Sequence, residues 1–165
     1  MRRPILLLLV VAAAGCGSTK TAAPPTTTTV PSPTTALPGA HALYVGGNWA
    51  VVLEGTDAVA AHLVAGRWRL DRSGRVKIEI LGPLPGSTAP KLPQVAAQLT
   101  ASSALVESGL WVDGQELVVK GGGTPTEGTI YGAPAKPLAA GTHVAVAYGR
   151  TDRTGTARAW SFTTP

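Results

Sequence analysis

The sequence predicts an all-β body, a Greek-key β-sandwich of short antiparallel strands, and three observations carry that reading. First, its 165 residues include 20 Gly and 14 Pro but only 14% charged and 5% aromatic residues. That mix suits short strands with many turns better than long helices. Second, the last stretch holds two alternating runs, Val144-Val146-Tyr148 and Ala157-Ala159-Ser161, around a polar turn, with Trp160 and Phe162 on the opposite parity. Alternation at period two, bounded by turn residues, is the mark of paired strands. Third, Asp113-Gly114 stands between apolar runs, and that dipeptide supplies the two positive-φ residues a tight hairpin turn requires.

Taken in order, Met1-Arg2-Arg3 is a short positive segment and Ile5 to Ala14 an apolar run. At about ten residues the run is too short to span a bilayer as a helix but has the length of a signal-peptide core. It ends in Ala13-Ala14-Gly15-Cys16, small residues ahead of the chain's single cysteine. This resembles the lipobox of bacterial lipoproteins. The resemblance implies a signal peptide over residues 1–15, diacylglycerylation of the Cys16 thiol, cleavage just before it, and a lipid-anchored position on the extracytoplasmic face of the cell membrane. Several acyl chains together anchor a protein stably, where one alone does so marginally. A lone cysteine also leaves no partner for an intrachain disulfide.

Residues 16–40 form the anchor cysteine and a linker, GSTKTAAPPTTTTVPSPTTALP, with five prolines between Gly17 and Pro38. Such a segment has too little apolar bulk to offset its ordering entropy, so disorder with polyproline stiffness is expected. Fully extended at ~3.1 Å per residue it reaches roughly 60–70 Å, a tether that lifts a domain off the membrane. Its Thr/Pro density also permits O-glycosylation.

Order is expected to begin near His41. Leu43 to Val45, Trp49 to Leu53, Ala58 to Val64 and Arg67 to Asp71 read as four short strands punctuated by glycine. A helix over Asp57 to Val64, N-capped by Asp57, is the alternative. Residues 41–75 are too few for a core of their own, so this β-rich segment is expected to dock on the following domain, through Trp49 and Trp68. Arg67, Arg69, Arg72, Arg75 and Lys77 form the densest basic run, with Trp68 on the other parity. One reading is a basic strand face aimed at wall polyanions or anionic lipid; the other is a solvated face, partly neutralised by Asp71 and Glu79.

Residues 76–165 form the sandwich. Val76 to Leu81 alternates and stops at Gly82-Pro83-Leu84-Pro85-Gly86. Gln94 to Ala101 and Gly109 to Val112 follow. Leu117 to Lys120 is the return strand of the Asp113-Gly114 hairpin, Gly121 to Gly128 a loose loop, and Thr129 to Tyr131 a short strand. In the last hairpin, Asp152 and Gly155 fit the first and fourth places of a type I turn. About seven strands with regularly spaced turns argue for the sandwich.

IEILGPLPGS, LWVDGQEL and PLAAGTHVAVAYGRTDRTGTARAWSFTT resemble bacterial immunoglobulin-like domains of S-layer and other surface proteins, across Val76 to Thr163. The resemblance implies an immunoglobulin-like Greek-key sandwich closed by the Trp160-x-Phe162 strand. It also puts His143 in the tyrosine-corner place, where a ring donor fastens a loop to the start of a strand. That fold hosts many unrelated tasks. It also resembles periplasmic copper carriers, which bind with histidines at the mature N-terminus and in the last hairpin. Here Thr151 to Thr156 holds no histidine, Met1 is the single methionine, and His41, His62 and His143 lack ligand spacing, so neither a metal site nor a cofactor is expected.

The remaining function classes thin out by chemistry. From His41 onward the chain carries 11 Lys/Arg against 9 Asp/Glu, a net of +2, and no aromatic platforms alternate with the basic residues. Nucleic acid is therefore not an expected partner. No G-x-S-x-G, H-E-x-x-H or phosphate loop is present, and Glu54, Asp57, Glu107 and Glu127 are isolated carboxylates. The expectation is a non-enzymatic, membrane-anchored module that contacts another envelope protein, with wall-polymer or anionic-surface binding as the alternative.

Overall fold

The computed structural model describes residues 41–165; Cys16 and the expected leader and linker lie outside the described residues. The described residues form strands and turns, with no helix among them. The first sheet is a four-stranded meander of β1 (His41–Gly46), β2 (Trp49–Glu54), β3 (Asp57–Val64) and β4 (Arg67–Asp71) in that order. Residues 57–64 are thus strand, paired on both sides, and the alternation of buried Ala58 and Ala60 with Val59 and Ala61 gives each face of the sheet its apolar set.

Eight further strands build a sandwich: β5 (Val76–Gly82), β6 (Val95–Ala101), β7 (Glu107–Val112), β8 (Gln115–Glu116), β9 (Lys120–Gly123), β10 (Glu127–Gly132), β11 (Gly141–Arg150) and β12 (Gly155–Thr164). Their orders are β5-β6-β10-β9 in one sheet and β12-β11-β7-β8 in the other. Lettered A to G from β5, these are the A-B-E-D and G-F-C-C′ sheets of the immunoglobulin Greek key. The segment Gly86–Ala89 adds a short parallel bridge, Thr88 to Thr163, along the outer edge of β12.

Two cores lie on opposite faces of the β12-β11-β7-β8 sheet. Ile78, Leu99, Leu110, Ala145, Ala147 and Phe162 meet between the sandwich sheets. Trp49, Val51, Ala60, Trp111, Val146 and Tyr148 meet between the meander and the sandwich's other face. The fold is therefore three layers deep, and β11 is its middle: Ala145 through Gly149 are all buried. Both parities of β11 are apolar, and each has a layer to pack on. Strands covered on both faces read as near-continuous apolar runs.

Three expectations change. The return strand after Asp113-Gly114 is only Gln115–Glu116, not Leu117 to Lys120, because Leu117 turns its side chain into the sandwich core and draws the chain across to the other sheet. Lys120–Gly123 is then a strand rather than the start of a loose loop, pairing with β10. Its glycines allow this: a Cβ on Gly121 would stand 2.6 Å from the Thr129 carbonyl oxygen. Finally, the β11–β12 turn runs from Thr151 to Thr154, one residue earlier than the Asp152 reading. The buried Thr151 hydroxyl accepts from the backbone N–H of Arg153 (3.3 Å) and Thr154 (3.2 Å), which anchors the turn in place of Asp152.

Candidate functional site

The basic run is divided among three structural settings. Arg67 and Arg69 stand exposed on one face of β4, beside Val64 and His62 of β3. Neither guanidinium has an ion-pair partner among the described residues. Arg72 lies in the link after β4 and holds both carboxylate oxygens of Glu54, at 2.8 and 3.1 Å. Arg75 is exposed in the same link, and Lys77 on β5 faces Glu79 at 3.6 Å.

Asp71 is committed elsewhere, accepting from the N–H of Ser73 (2.9 Å) and Gly155 (2.8 Å). Burial pushes its carboxyl up, but these bonds and the nearby Arg75 charge outweigh it and leave the pKa lowered. Trp68 points to the far side of β4, half-buried, and its indole N–H has no partner among the described residues. What remains of the run as an open cationic feature is the pair Arg67 and Arg69.

The two tryptophans of the meander have different places. Trp49 enters the inter-layer core, stacked on His62 with ring centroids 4.2 Å apart and planes at 3°. The Arg150 guanidinium lies 5.7 Å over the same indole and donates to Glu107 at 2.6 Å. This Trp49, His62, Arg150 and Glu107 cluster was not legible in the sequence, since its members come from four strands, and β2 and β3 stand far in the chain from β7 and β11. The turn dipeptides between strands fixed only local pairing. The Tyr148 hydroxyl is buried nearby without a partner among the described residues, and burial raises its pKa.

His143 begins β11 with its ring buried. Its Nδ1 lies 2.7 Å from Oδ2 of Asp113, and its Nε2 lies 2.9 Å from the Ala139 carbonyl oxygen and 3.1 Å from Oγ1 of Thr164. Asp113 and Gly114 form the β7–β8 turn with φ of 49° and 77°, and Oδ1 of Asp113 accepts from the Val144 N–H at 2.9 Å. Trp160 is buried in the sandwich core and donates its indole N–H to the Pro83 carbonyl at 2.8 Å. These four residues tie loops to strands and do not converge on a cavity.

Among the described residues no group of three or more His, Cys, Asp or Glu stands close enough to hold a metal ion. A groove of about 470 Å³ lies beside β9 over Leu99, Leu105, Val119 and Ile130. Its one carboxylate, Glu107, is already taken by Arg150. General acid–base chemistry has no paired groups there to work with.

Fold and surface together define an all-β protein carrying an immunoglobulin-like sandwich. No family model and no curated protein matches this chain. Among solved structures it is similar to an Ig domain in the crystal structure of the titin M10–obscurin-like 1 Ig complex. That similarity has 17% identity and a TM-score of 0.35, covering 53% of this chain and 93% of the other.

Proposed function

We propose that this protein is a lipid-anchored extracytoplasmic lipoprotein whose immunoglobulin-like body acts as a non-enzymatic contact module for another envelope protein. The observation that carries the anchor is the position of the only cysteine, Cys16, directly after the small residues that close the apolar run. The contact role draws support from the surface. The sandwich presents strand edges, loops and shallow grooves, while the broad face of its β12-β11-β7-β8 sheet is occupied by the meander. Intact mass spectrometry of the protein extracted from membranes tests the anchor. The expected chain begins at Cys16 with lipid attached; residues 1–15 still present on an unlipidated chain contradict it. Crosslinking in intact envelopes tests the contact role, which fails if no protein is joined to the body.

A second reading has its own observation, the guanidinia of Arg67 and Arg69, which have no ion-pair partner among the described residues. They suit an anionic surface such as a wall polymer or acidic lipid headgroups. Attraction of this kind weakens with salt, because exposed charges are screened within roughly 8–10 Å at moderate ionic strength. Retention of the unlipidated body on anionic vesicles at low salt and its release at high salt is the expected result.

A further inference from the structure

We infer that the outer edge of β12 is a docking site for an extended peptide strand with acidic side chains at alternate positions. The inference rests on reading the body as a protein-contact module and names where that contact is made. β12 pairs with β11 on one side only. On its other side the odd-numbered residues direct their backbone groups outward. The Gly155 N–H goes to Asp71 (2.8 Å), the Ser161 carbonyl receives Gly86 N–H (2.8 Å), and Thr163 exchanges bonds with Ser87 and Ala89 (2.9 and 2.8 Å). The same parity sends the N–H and C=O of Ala157 and Ala159, and the N–H of Ser161, out of the same edge. No backbone or side-chain partner meets them among the described residues. The edge is thus sealed at both ends and open in the middle, over a length that takes a strand of about five residues.

The surroundings leave room there. Two grooves, of about 290 and 380 Å³, share Asp57, Arg158 and Ala159 in their walls and flank this open stretch. Only another polypeptide backbone offers donors and acceptors at the two-residue repeat of a strand edge, so the ligand is a peptide adding a strand. Its side chains divide by parity. One set faces the side of Ala157, Ala159 and Val144, bordered by Asp57, and is apolar and uncharged. The other faces exposed Arg158, whose Nη1 donates to the Ile78 carbonyl at 3.0 Å and whose other N–H groups have no partner among the described residues, and is acidic.

Hydrogen exchange on the full chain in detergent micelles tests this, with an alternating Val–Glu peptide of about seven residues as probe and the Val–Lys counterpart as control. The amides of Ala157, Ala159 and Ser161 are expected to exchange fast in the free chain. They should slow by about tenfold or more with the Val–Glu peptide and not with the control. Ser161→Pro removes an outward N–H without breaking a ladder bond. It should abolish the protection while the unfolding transition stays cooperative; Ala159→Pro is the second variant.

The site is overturned if those amides are already protected without peptide, or if protection rises with protein concentration alone, which would assign the edge to a second copy. It is also overturned if the peptide at about 1 mM leaves them unchanged. Protection that falls on another edge, such as β4 or β9, overturns this site and leaves the contact-module reading standing.

Discussion

The Nδ1 of His143 lies 2.7 Å from Oδ2 of Asp113, joining the start of β11 to the β7–β8 turn. On the other side of the ring, Nε2 stands 2.9 Å from the Ala139 carbonyl oxygen. A carboxylate and a carbonyl only accept, so both nitrogens are best matched when both carry protons. The bond to Asp113 accordingly raises the His143 pKa, against the effect of burial, with the Ala139 bond acting in the same direction as Asp113.

This pairing predicts a stability that depends on pH. A histidine whose folded pKa is raised contributes stability that is fully present below its unfolded value of about 6.5 and lost as pH rises through the folded value. Urea midpoints measured by tryptophan fluorescence should therefore decline from the mildly acidic range into the alkaline one. His143→Gln should flatten that limb, and a wild-type profile without it would show the clasp to be uncharged.

Asp71 gives the opposite limb. Its lowered pKa contributes stability present above the unfolded value of 3.8 and lost as pH falls through the folded one. Asp71→Asn should remove part of the acid sensitivity while leaving the alkaline decline intact. It should also increase exchange at the Gly155 amide, which its carboxylate now holds.

Trp49 secures the meander to the sandwich. Truncating a buried aromatic costs about 3–5 kcal/mol, so Trp49→Ala should produce a loss of that order in denaturant unfolding. The close approach it makes to Gly155 should show as coupling. A Cβ on Gly155 would meet Cζ3 of Trp49 at 2.8 Å and the Cβ of Ala60 at 3.2 Å. Gly155→Ala should cost about 1–3 kcal/mol in the wild type and distinctly less in a Trp49→Leu background.

For Arg67 and Arg69 the expected phenotype is confined to the surface. Replacing both by Ala should abolish low-salt retention on anionic vesicles and leave the thermal midpoint unchanged, since neither side chain has an ion-pair partner to lose among the described residues. Unaltered retention would remove the second reading.

Much of the fold was legible because its signals are local. Asp113-Gly114 marks a turn through the positive φ both residues adopt, and Val76, Ile78 and Ile80, with Lys77 and Glu79 between them, announce β5 by parity alone. What escaped is non-local. Gly121 to Gly123 have no side chains to declare a strand, and they pair because β10 lies within backbone reach. The apolar even and odd positions of β11 could not reveal that two separate layers cover them. The run from Arg67 to Lys77 is contiguous in sequence, yet a strand end, a link and a change of sheet scatter its charges. The middle of the outer β12 edge, unpaired among the described residues, left no trace in composition at all, because backbone groups carry no letter.

The three-layer arrangement governs which surfaces remain for partners, and native-state hydrogen exchange tests it most directly. If the meander and sandwich form one body, Val51 and Ala60 should exchange in the same cooperative unit as Ala145 and Val146, with a common dependence on denaturant. Exchange of Val51 and Ala60 through a separate, much lower opening barrier would contradict the account, exposing the face of Trp111 and Tyr148 that it holds to be covered.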